Sequence, residues 1–209
     1  MNDASYSEKP DQAETSTFIL ASASATRQEL LRSAGIAFVA SPSAVDERRI
    51  QEQGGFSPKS AAAALARAKA LSVSIEYPAA LVLGADQTLE CDGLSLHKAD
   101  SRAAVIEQLQ LLRGKPHCLH SAMALAKDGV ILWQYTETIT LHCRAYSDSF
   151  IQDYADAVCA SGQRVVGCYA FESIGVQLFD TVSGSQSGIL GLPLLPLCAV
   201  LRELGVLKE

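Results

Sequence analysis

The chain has 209 residues, 48% of them apolar, with 17 Lys and Arg against 23 Asp and Glu for a formal net charge of −6. That is enough apolar material to bury a core, and it excludes a disordered chain. The negative balance argues against broad binding to nucleic acid or to an anionic membrane surface, although a local basic pocket stays open.

In chain order, residues 1–17 are polar and acidic with no apolar run, which predicts a disordered tail and not a signal peptide. Thr17 to Ala21 reads as a strand. Ala25 to Ala34 reads as an amphipathic helix with Gly35 at its end. Ile36 to Ala40 is a second short strand, and a polar loop then runs to Ser57. Ser57-Pro58 is a helix start, a capping serine followed by proline, and the alanine-rich helix runs to about Ile75 with Arg67 and Lys69 on it.

The segment AALVLGAD reads as a buried strand ending at Asp86, and QTLECDGLSLHK as a hairpin around Asp-Gly. Residues 101–113 form a helix stopped by Gly114. Two long alternating strands, 117–127 and 130–143, flank Asp128-Gly129. A helix over 148–160 is capped by Ser147, residues 169–184 are strand-like, and a last helix spans Leu194 to Leu204. The order predicts an α/β fold with long antiparallel hairpins, over 18–209, as one domain or as two lobes sharing a sheet.

The six cysteines form no C-x-x-C pair and mostly lie in apolar segments, so reduced thiols of a cytoplasmic protein are expected. The longest uncharged apolar stretch, 188–201, is too short and proline-interrupted to span a membrane. There is no Walker-type phosphate loop, no G-x-G-x-x-G and no G-x-S-x-G. His117 and His120, three apart on a strand, point to opposite faces and cannot share a metal.

What remains is a set of polar groups at element ends. Ser22, Ser24 and Arg27 stand at a helix N-terminus, a place suited to phosphate, although Ser24 serves equally as a plain N-cap. Asp86, at the end of a buried strand, is placed for a metal ligand or a base, with a turn aspartate as the alternative. Glu47 and Glu172 are further acidic candidates, and Lys69 and Lys98 further cations.

Taken together, LASASATRQELL, Asp46-Glu47, Lys69-Ala70, Gly84-Ala85-Asp86, Lys98 in HKAD and the terminal GLPL resemble the ordered motif series of the Maf family. The resemblance covers residues 18–205, with Ala25 and Ala99 where the family has proline. It implies a Maf and inosine-triphosphatase-like fold: a mixed elongated sheet, flanking helices and a central cleft. It implies hydrolysis of a nucleoside triphosphate to the monophosphate and pyrophosphate, with a divalent metal cation, Mg or Mn, held by Glu47 and Asp86. Asp86 matches the proton acceptor, and Ser24, Arg27, Lys69 and Lys98 match substrate-binding positions.

At the three positions that separate the family's branches this chain has Thr26, Gln87 and Glu172. The last two resemble the 7-methyl-GTP branch, and Thr26 matches neither that branch nor the dTTP/UTP one. The implied alternatives are a dTTP/UTP pyrophosphatase or a nucleotide-binding regulator of division or septum formation with little turnover. A nucleotide is the expected partner, with no nucleic acid and no membrane, and the oligomeric state, a homodimer included, is left open.

Overall fold

The computed structural model describes residues 17–162 and 166–208; the tail expected over residues 1–17 lies, but for Thr17, outside them. The elements run β1 (Phe18–Leu20), α1 (Ala25–Ser33), β2 (Val39–Ala40), α2 (Glu47–Gly54), α3 (Pro58–Glu76), β3 (Leu81–Cys91) and β4 (Leu94–Leu96). They continue α4 (Arg102–Leu112), β5 (Pro116–Lys127), β6 (Val130–Cys143), α5 (Asp148–Ser161), β7 (Phe179–Ser183), α6 (Gln186–Ile189) and α7 (Leu194–Glu203). Short 3₁₀ turns, Val166–Cys168 and Ile174–Leu178, lie between α5 and β7.

The seven strands form one mixed sheet in the order β2-β1-β3-β5-β6-β7, with β4 also paired to β3. β3 and β5 are buried along nearly their whole length, and β6 alternates between more and less exposed residues over much of its length. Their hairpins close on Asp92-Gly93 and Asp128-Gly129, with all four residues at positive φ as a type I′ turn demands. β5 pairs with β3 along one whole edge. On the other edge β1 pairs with Leu81, Val82 and Leu83, and β4 with Leu89, Glu90 and Cys91. Between them residues 84–88 have no strand neighbour on that side, and the sheet opens there. Apolar clusters fill the two ends: Leu89, Leu109, Ile139 and Tyr154 on one side of the gap, and Leu20, Leu31, Leu83 and Leu197 on the other.

Three segments differ from the sequence reading. The polar stretch after β2 contains α2, because Asp46 caps it, accepting from the Arg49 amide, and Gly55 ends it in the left-handed region. Asp86 lies inside β3 and not at its end: β5 carries the ladder past it, and only β1 stops. The strand read over 169–184 is confined to Phe179–Ser183. Before it the chain coils, with Gly167 and Cys168 at positive φ and Gly175 packed against the Ala170 backbone too closely for any side chain. Two apolar side chains of these turns, Tyr169 and Leu178, reach the core.

The contact that positions everything downstream is α3 on the sheet. Ala62, Ala66 and Ala70 of α3 meet Ala122, Ala124 and Ala126 of β5, a layer of methyl groups with no larger side chain between. Beside it, a Cβ on Gly84 would overlap the Ala66 carbonyl oxygen and stand 2.5 Å from the Ala70 nitrogen. Gly84 is needed here for space and not for its φ. Gly84→Ala is therefore expected to destabilise by about 3 kcal/mol, the range for overpacking against backbone that cannot yield. Urea unfolding measures it, and an unchanged midpoint would show that α3 can lift off the sheet freely.

Candidate active site

A cavity of about 1200 Å³ opens at the gap in the β3 edge. Ten residues singled out from the sequence line it: Ser22, Ser24, Thr26, Arg27, Glu47, Lys69, Asp86, Gln87, Lys98 and Glu172. They come from six separate segments, and each is held differently.

At the centre is a buried ammonium between two carboxylates. Lys69 Nζ lies 2.5 Å from Asp86 Oδ1 and 2.7 Å from Glu47 Oε1. Lys69 and Asp86 are only 8% and 7% exposed, whereas Glu47, the first residue of α2, is exposed. The close approach of α3 at Gly84 brings Lys69 into reach of Asp86, two residues further along β3. Burial pushes the Asp86 carboxyl above the usual carboxylate range, while Lys69 and Arg27 pull it back. A carboxyl so balanced is suited to accepting a proton.

Arg27 is anchored in the cavity wall. Its Nε donates to the Gly191 carbonyl at 3.0 Å, and its Nη1 donates to the Ala85 carbonyl at 2.9 Å and to Ser22 Oγ at 3.3 Å. The Ala85 carbonyl is one that a continued β1 would have taken, so the guanidinium bridges the gap in the sheet. Gly191, at φ +88°, leaves room for it: a Cβ there would sit 3.3 Å from Nε. Ser24 caps α1, accepting from the Arg27 amide at 3.4 Å. Ser24 is thus an N-cap, and it also lines the cavity.

The residues expected to select a base are partly committed elsewhere. The Gln87 amide nitrogen donates to Ser121 Oγ at 2.7 Å and to the Gly188 and Ile189 carbonyls at 3.0 Å, tying α6 to the sheet. The Thr26 and Glu172 side chains make no hydrogen bond with a described residue. Glu172 follows Tyr169, a buried ring whose hydroxyl is 2.8 Å from His117 Nε2 and whose face meets Phe179 edge-on. That tether fixes the turn that presents Glu172. His117 is itself pushed down to about 4 by burial, so it is neutral and fit to pair with a phenol. His120 faces Glu90 and Thr138 instead, so the two histidines do point apart.

The sequence reading did not single out Arg48 and Gln51, which line the cavity from α2. The signal was present in Asp46 and Gly55 as helix caps. Among the described residues no group of three or more His, Cys, Asp or Glu side chains could enclose a metal. Two carboxylates facing one point nevertheless suit a hard divalent cation that keeps waters and takes its other oxygens from a phosphorylated ligand. The described cysteines are free thiols, and no described helix is long and apolar enough to cross a membrane.

Removing the buried ammonium tests this electrostatic centre. Lys69→Met is expected to lower stability at pH 7 by about 3 kcal/mol, because it leaves Asp86 buried and uncompensated. A carboxyl whose folded pKa is raised contributes most below its unfolded value near 4 and loses that contribution as pH rises. The deficit should therefore shrink between pH 7 and pH 4 in parallel unfolding curves. A deficit independent of pH would place its origin in packing alone.

A family model described as Maf-like protein matches residues 17–204. Among similar proteins, a nucleoside triphosphate pyrophosphatase of Maricaulis maris is 47% identical, over 92% of this chain and 98% of its own. Another of that name, from Nitrobacter hamburgensis, is 45% identical over 93% and 97%. A 7-methyl-GTP pyrophosphatase of Rhizobium etli is 39% identical over 92% and 98%.

Proposed function

This chain belongs to the Maf family, and on that premise we propose that it is a nucleoside triphosphate pyrophosphatase, a hydrolase acting on a phosphoric anhydride. The observation that carries the reading is the buried Asp86–Lys69 pair, with the exposed Glu47 also on Lys69, inside a cleft large enough for a nucleotide. Water attacks the α-phosphorus, its proton passes to the Asp86 carboxylate, and the bond to the bridging oxygen breaks to release pyrophosphate. Lys69 holds Asp86 Oδ1, which leaves Oδ2 to accept the proton. Lys98, exposed on the cavity rim, meets negative charge on the departing phosphates. Arg27, fixed by three protein oxygens, keeps the α1 junction and its capping Ser24 in register with β3. Glu47 and Asp86, with phosphate oxygens, would hold a divalent cation, Mg or Mn, which when bound neutralises charge on the group being cleaved.

For the base we propose a guanine, 7-methyl-GTP or another modified nucleotide. The support is Glu172, an exposed carboxylate on the cavity wall without a protein partner among the described residues. Such a group accepts from the N1–H and exocyclic amine of guanine and favours a methylated, cationic ring, whereas thymine and uracil present acceptors to it. A protein with reduced thiols in this role belongs in the cytoplasm.

Pyrophosphate release from a panel of 7-methyl-GTP, GTP, UTP and dTTP with Mg or Mn tests the activity. Asp86→Asn should abolish turnover with the fold retained, since an amide takes no proton and binds a metal weakly. Near-normal turnover in that variant would remove Asp86 from the mechanism. Glu172→Gln should lower relative kcat/KM for the guanine substrate about ten- to a hundredfold, the effect of losing one charge-assisted contact. A wild-type preference for UTP or dTTP, or an unchanged ranking in the variant, would leave the pyrophosphatase reading and end the guanine one.

A further inference from the structure

Four cationic side chains line the cavity: Arg27, Arg48, Lys69 and Lys98. Two of them are already engaged, Arg27 by three protein oxygens and Lys69 by two carboxylates. Only Lys98 and Arg48 make no hydrogen bond or ion pair through their side chains with a described residue. A triphosphate brings about four negative charges into a cleft that also holds Glu47, Asp86 and Glu172, so unengaged cations decide whether it binds.

Arg48 stands out on a second ground. It is the second residue of α2, followed by Arg49, where the helix dipole and free N–H groups disfavour a cation. A locally unfavourable residue without a side-chain partner among the described residues is a candidate for a position set by a ligand and not by folding. Its direction follows from the helix: Glu47, Arg48 and Gln51 share one face and line the cavity, while Arg49 does not. Glu47 on that same turn reaches Lys69, so Arg48 lies at the reaction-centre end of the cleft. A guanidinium offers a planar fork that matches two phosphate oxygens.

We propose that Arg48 is a further binding residue, which takes the phosphate chain of the nucleoside triphosphate from the α2 wall of the cleft; this rests on the pyrophosphatase reading above. The salt bridge from Glu47 to Lys69 fixes the first turn of α2 and so presents Arg48 to the ligand.

The test is calorimetric titration of the full chain with inorganic tripolyphosphate in magnesium buffer, which needs no turnover. Arg48→Ala should bind about tenfold more weakly, the loss of one charge-assisted contact, with Arg48→Lys between it and wild type. Arg49→Ala removes the same charge from the same turn and should bind as wild type does. The melting temperature of Arg48→Ala should not fall, since the substitution relieves the dipole conflict. Equal weakening in both alanine variants would reduce the effect to bulk charge and overturn the proposal. So would unchanged binding in Arg48→Ala, or no tripolyphosphate binding by wild type. If binding depends on Arg48 but no nucleoside triphosphate yields pyrophosphate, the activity reading fails and the assignment of Arg48 stands.

Discussion

The rest of the site depends on how closely α3 can lie on the sheet. A helix normally keeps a side-chain layer between itself and the strands beneath. Here alanines face alanines, and Gly84 removes the last Cβ, so helix backbone meets strand backbone. That separation is what lets a lysine on α3 put its ammonium 2.5 Å from an aspartate on β3. With bulkier side chains at these positions the two would face each other across a gap, and Asp86 would lie buried without a counter-charge.

The second constraint is an interruption. β1 and β4 share one edge of β3 but leave residues 84–88 between them without a strand partner. A buried strand edge of that kind carries polar backbone groups that must be met. Arg27 meets one of them at Ala85 and joins it to Gly191, so a single side chain closes α1, β3 and the turn before α7 into one wall. Gln87 does the corresponding work for α6, donating to the Gly188 and Ile189 carbonyls. The cleft is therefore walled by side chains whose first task is structural, and those tasks leave Glu172, Thr26, Lys98 and Arg48 without a side-chain hydrogen bond or ion pair among the described residues.

Such a division explains the charge of the site. The overall charge of −6 is unsuited to attracting a polyanion, and the cavity does not reverse it by number alone, with four cations against three carboxylates. What matters is which charges are cancelled internally. Lys69 is shared between Asp86 and Glu47, which makes the centre an organised network and not a simple basic patch, while the uncommitted cations stand at the rim.

Much of this was legible in the sequence. Periodicity and capping residues located β3, the two long hairpins, α3, α4, α5 and α7, because those elements are long or bounded by Ser-Pro, Asp-Gly and glycine signals whose local physics is strong. The nine residues named from the motif series line one cleft, although Lys69 lies within α3 and Asp86 and Gln87 lie within β3. Local pattern did not reach three things. It took α2 for a loop because that helix is short and polar and rests on its caps. It read 169–184 as strand because apolar residues are spread through the segment, whereas only Tyr169, Ala170, Gly175 and Leu178 are buried before β7 and the chain there turns. It ended β3 at Asp86, where the strand in fact continues. Tertiary structure alone decided that the opening comes from β1 stopping beside β3, that Arg27 and Gln87 are tied to backbone carbonyls, and that the Arg48 side chain is left without a partner among the described residues. These outcomes depend on contacts between residues up to 164 positions apart, which no local periodicity encodes.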